Sequence, residues 1–185
     1  NYTGLGSPKE MRKHLQKHGF TYVVLGVVFY GSSTTMGPAT TSFLEPYIKE
    51  LLAHRIKPFL MGELFGGAAA SKSKQMVDDL VRLLDDTGAS GAITRIRSVS
   101  PQNSGWTEES ATQHAEDLEK ISITRNISVG LMGPGMPDTF PELEDAIAKV
   151  GESVNYVMSE ITPNPSLTSE TAIDIILSQA SSQWS

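Results

Sequence analysis

Five apolar segments of strand length recur along the chain at roughly 30-residue intervals, each followed by a run with helical spacing. They begin near Tyr22, Ile56, Ser90, Ile127 and Val154. A strand that is apolar at nearly every position needs cover on both faces, and a crossover helix supplies cover while returning the chain to start a parallel neighbour. The alternation therefore predicts an α/β domain, a three-layer open sheet of about five mostly parallel strands with helices on both faces. Residues 1–185 read as a single domain, with an N-terminal surface helix in 1–19 and five strand–helix units in 20–185. An open sheet is preferred to a (β/α)8 barrel, because eight units typically need ~250 residues.

Local signals place the helices. Ser7-Pro8-Lys9-Glu10 combines a serine cap, a proline at the first helical position and a glutamate three residues after the cap, with Gly19 as the stop. Ser42-Phe43-Leu44-Glu45 offers a second capping box, with Pro46 tolerated near the first turn. Further helices are expected over about 73–86, from Thr107, from Asp138, and from Thr168 or Ser169. The third strand, Ser90–Val99, alternates: Ile93, Arg95, Arg97 and Val99 share one face. Two arginines on one face predict either an edge strand or partners near its end.

Charge and composition exclude several classes. Fifteen Lys+Arg against 21 Asp+Glu leave a formal charge of −6, with no dense basic run, so a nucleic-acid partner is not expected. No apolar run approaches the ~20 residues of a membrane span. With no cysteine there is neither a disulfide framework nor a thiolate metal site. His14 and His18 share a helix face, but lysine and arginine surround them, so no metal site is assigned. No cofactor fingerprint is present; the three-glycine dinucleotide pattern and the P-loop are both missing. Asn1-Tyr2-Thr3 and Asn126-Ile127-Ser128 match the glycosylation acceptor pattern, which arises often by chance. The start at Asn1 suits a processed or excised piece of a longer chain, with Trp184 and the first helix as surfaces for an oligomer or partner chain.

In open parallel sheets, ligands bind outside the carboxyl ends of the strands, where the order of strands reverses. That edge collects Gly31, Ser32, Ser33, Thr34 and Thr35 after the first strand, and Glu63 near the end of the second. Arg97 ends the third, Gly133 the fourth, and Glu160 the fifth. Glycine and small hydroxyls before a helix can aim amides at a phosphate or carboxylate, or simply cap the helix. Glu63 and Glu160 sit in apolar strand sequence, so each must be solvated, ion-paired or functional. One reading joins Glu63 or Glu160, as acid–base group, to Arg97 as anion holder; the other pairs a glutamate with Arg95 or Arg97 structurally. The expected function is binding of a small polar or anionic ligand, with catalysis open and a non-catalytic interaction module as the alternative.

A third option rests on Phe29-Tyr30-Gly31-Ser32-Ser33-Thr34, which resembles the first block of the SGNH/GDSL hydrolases. The resemblance implies Ser33 as nucleophile. The family's late aspartate–x–x–histidine block is absent, and the last histidine is His114. His54 and His114 read as surface positions on helices.

Overall fold

The computed structural model describes residues 6–17, 19–31, 37–65, 69–97, 107–133 and 156–159. In chain order these form α1 (Pro8–Lys17), β1 (Tyr22–Gly31), α2 (Thr41–Ala53), β2 (Lys57–Phe65), α3 (Ala69–Thr87), β3 (Gly91–Arg97), α4 (Glu108–Arg125), β4 (Ser128–Gly133) and β5 (Tyr156–Ser159). The helices expected from Asp138 and from Thr168 or Ser169 lie outside the described residues.

The punctuation of the chain explains most boundaries. At α1 the Glu10 carboxylate accepts from the Ser7 amide (2.7 Å) and hydroxyl (2.8 Å), while the Glu10 amide donates to Ser7 Oγ (3.3 Å). This reciprocal box holds the Glu10 carboxyl below its ordinary value, chiefly through the Ser7 amide. Gly19 and Gly88 follow their helices at φ +72° and +68°, a region L-residues avoid. Thr107 and Ser110 form the box that opens α4. The box expected at Ser42 is not formed: α2 begins at Thr41 behind Thr40, whose side chain makes no cap bond. Ser42 instead lies inside the first turn. Helix α3 also starts earlier than expected, at Ala69 rather than near Ser73.

The sheet contains five parallel strands in the order β1-β2-β3-β4-β5. Leu25, Leu60, Ala92 and Val129 lie opposite one another in a row across four strands, all buried. They face Leu44, Ile48 and Leu51 of α2, Met76, Val77, Leu80, Leu83 and Leu84 of α3, and Leu118 and Ile121 of α4, in one core cluster. The three helices stand side by side, α3 touching both α2 and α4, and α1 leans on α2. Right-handed crossovers between strands taken in consecutive order put every connecting helix on the same face. The arrangement is compatible with the open layered sheet expected and, equally, with part of a (β/α)8 wall. Among the described strands the order never reverses, so no crevice of the switch-point kind arises there. The edge where the site is expected is then the line of carboxyl ends itself.

Two details set how closely the layers approach. The register slips between Gly26 and Val28, and the carbonyl of the bulged Val27 accepts from the Ala39 amide (2.8 Å), bringing the chain leaving β1 back against its own strand. Gly91 is more demanding. A Cβ there would stand 2.5 Å from the Ser128 carbonyl oxygen and 2.4 Å from the Phe59 ring. The Phe59 ring could turn; the Ser128 backbone cannot without disturbing β4. Gly91→Ala should therefore cost ~2 kcal/mol or more by overpacking, read as a lowered urea midpoint with an unchanged slope.

Candidate functional site

Alternation along the strands assigns a second face, away from α2, α3 and α4. Gly62 and Thr94 belong to the helix face: a Cβ on Gly62 would meet Met76, and Thr94 Oγ1 lies 2.9 Å from His114 Nε2. Their neighbours Glu63 and Arg95 therefore point to the opposite side. There the register aligns Phe29, Glu63 and Arg95 in one row near the carboxyl ends, with Met132 the backbone partner of Arg95 on β4. Arg95 Nη1 donates to Glu63 Oε2 at 3.3 Å, with the two side chains only 15% and 8% exposed. A carboxylate and a guanidinium this far out of water hold each other in place, because either alone would be costly to bury.

This pair resolves the puzzle of the alternating third strand. β3 is central, between β2 and β4, and Arg95 is accommodated by a cross-strand partner. One residue pair further on, Phe65 lies opposite Gly31 on one side and Arg97 on the other. Gly31 ends β1, and a Cβ there would fall 2.0 Å from the Phe65 ring. Its lack of a side chain makes room for that ring. Arg97 ends β3 in the same alternation as Arg95, and Gly133 ends β4 opposite Ser159 of β5. Ser32, Ser33, Thr34, Thr35 and Glu160 lie outside the described residues. Of the expected site residues, then, Gly31, Glu63, Arg97 and Gly133 stand at one edge. Phe29, Phe65 and Arg95 join them, and their signal was the period of two counted back from each strand end.

His114 is not a surface residue. It is 1% exposed, with Nδ1 2.6 Å from Ser73 Oγ of α3 and Nε2 2.9 Å from Thr94 Oγ1 of β3. Burial pushes its imidazole down to about 4. The missed signal was its spacing: His114 precedes Leu118 by four residues and adjoins Ala115, so it falls on the buried side of α4. Serine and histidine in contact resemble a nucleophile and its base, yet Ser73 is itself buried and the histidine's second nitrogen meets a threonine, not a carboxylate. Both ring nitrogens are engaged in the core. Among the described residues no group of three or more His, Asp or Glu side chains could hold a metal ion. No described helix is long and apolar enough to cross a membrane.

The folded geometry has parallels in known structures. A chitinase from Chromobacterium violaceum superposes with a TM-score of 0.62 at 15% identity, over 98% of this chain and 63% of its own. A class V chitinase from Pseudomonas fluorescens gives 0.58 at 17% identity, over 85% and 51%. The spore cortex-lytic enzyme of Bacillus megaterium gives 0.61 at 13% identity, over 95% and 44%. The likeness is one of fold. This chain spans about two thirds or less of each of these structures. No family model and no curated protein sequence matches.

Proposed function

We propose that this chain binds a saccharide at the carboxyl ends of its strands and holds it without cleaving it. The structures that share its fold include chitinases and a cortex-lytic enzyme, which makes a sugar polymer the first ligand class to consider. The row of Phe29, Glu63 and Arg95 has suitable chemistry. An aromatic ring offers an apolar plate for the C–H face of a sugar, and a guanidinium beside a carboxylate offers donors and acceptors for its hydroxyls.

The observation that carries the non-cleaving part is the Glu63–Arg95 ion pair. Glycosidases need a carboxylic acid to protonate the leaving oxygen, commonly with a second carboxylate beside it. Along this row Glu63 is the acid among the described residues, and its Oε2 is engaged by the hydrogen bond from Arg95. The strand whose end would supply a second acid carries arginine at positions 95 and 97.

Incubation with chitotetraose checks both halves. Calorimetry should show saturable binding, and mass spectrometry should recover the sugar intact after prolonged incubation. Release of shorter oligosaccharides would overturn the non-cleaving reading, and its loss in Glu160→Gln would move the acid to the end of β5. Absence of binding across neutral and carboxylated tetrasaccharides would remove the saccharide.

A further inference from the structure

A second concave region lies at the other end of the sheet. It is a cavity of about 520 Å3 lined by Thr21, Tyr22, Arg55, Lys57, Phe59, Ile93 and Ser128. Lys57 and Ser128 are the first residues of β2 and β4, and Thr21 directly precedes β1, so the cavity belongs to the amino ends of the strands. Phe59 and Glu63 are four residues apart on one strand, roughly 13 Å at the rise of a β-strand. The cavity is therefore separate from the edge where the saccharide is placed.

Its lining is unusual in charge. The chain as a whole carries −6, yet the charged residues of the described lining are Arg55 and Lys57, with no acid among them. The floor is apolar: Phe59 and Ile93 are 6% and 2% exposed. The Tyr22 ring meets Phe59 edge-on with centroids 6.1 Å apart, leaving Tyr22 57% exposed at the mouth. Thr21 and Ser128 add hydroxyls. Arg55 stands at φ +61°, a backbone position that a residue without a Cβ would occupy at lower cost.

We infer that this cavity is a binding site for an amphipathic anion, a ligand with an aromatic or other flat apolar body and one acidic group. The volume lies within the range of small-molecule sites. Phe59, Tyr22 and Ile93 would contact the body, and Arg55 and Lys57 would neutralise the acidic group. Arg55 and Lys57 are both exposed, at the rim of the apolar floor. An acidic group entering there meets two positive charges and no acid of the described lining to repel it.

The probe is 8-anilinonaphthalene-1-sulfonate, titrated by fluorescence into the intact, cooperatively folded chain. Saturable binding should weaken as sodium chloride is raised, because the attraction is screened. Lys57→Glu or Arg55→Gly, each with the parent's melting transition, should weaken it about tenfold; glycine suits the left-handed backbone at position 55. Should Lys57→Glu not fold, Lys57→Gln takes its place. N-phenyl-1-naphthylamine, which has the same rings without the sulfonate, should bind about tenfold more weakly than the sulfonate. Failure of the folded chain to bind the sulfonate would overturn the inference and indicate that the cavity is occupied by the chain itself. Binding indifferent to both substitutions, or equal binding of the neutral analogue, would also overturn it.

Discussion

Replacing His114 by leucine should destabilise the protein by ~3 kcal/mol or more, because the change strands two buried hydroxyls at once. Ser73 on α3 and Thr94 on β3 both meet the imidazole, and all three residues are buried. Leucine fills much of the space but offers neither group a partner, and each buried hydroxyl left unsatisfied costs ~1–3 kcal/mol. Replacing all three polar residues together, as Ser73→Ala, Thr94→Val and His114→Leu, should recover most of that loss. A chemical-denaturation series on the single and triple variants checks both statements.

The same histidine makes stability depend on pH. Its imidazole is pushed from 6.5 down to about 4 by burial. Below pH 6.5 the unfolded chain takes up a proton that the folded chain refuses until pH falls to about 4. Stability from this group is therefore complete above 6.5 and declines as the pH drops through that window, by about 1.4 kcal/mol per pH unit at most. Both hydroxyls can accept from a charged imidazolium, so the lost hydration of the buried charge, rather than lost hydrogen bonding, is the cause. Urea midpoints measured at pH 7, 6 and 5 should fall for the parent and change much less for the triple variant.

The second large effect is expected at the ion pair. Glu63→Ala should cost ~3–5 kcal/mol, since it leaves the largely buried Arg95 without its carboxylate, whereas changing both partners to leucine should be close to neutral. The double variant then separates fold from function. It should melt near the parent temperature and yet lose saccharide binding, because its hydroxyl-recognising groups are gone. Thermal denaturation of the two variants, followed by calorimetry on the double variant, provides the comparison.

Where the sequence was legible, a local rule was enough. Ser7 and Glu10 announced a capping box, Gly19 and Gly88 announced helix ends, and the apolar runs from Tyr22, Ile56 and Ser90 became parallel strands. Ser42 misled because three hydroxyl residues, Thr40, Thr41 and Ser42, run consecutively into the helix, and the backbone puts the cap at Thr40 without a side-chain bond. Glu63 was visible as a carboxylate in apolar sequence, and its pairing with an arginine of the third strand was one of two readings. Which arginine depended on register, a relation between residues 32 positions apart that no local pattern encodes. Strand order was likewise out of reach. Consecutive order and a reversed order obey the same alternation of strands and helices, and only the former removes the switch point on which the first placement of the site relied.

The most direct test of saccharide binding at the carboxyl ends is an amide chemical-shift titration of the isotope-labelled chain with chitotetraose. The largest saturable shifts should fall on the amides of Phe29, Gly31, Glu63, Phe65, Arg95 and Arg97, with Thr21, Lys57 and Ser128 unmoved. Shifts confined to the amino ends of the strands, or none at millimolar sugar, would contradict it.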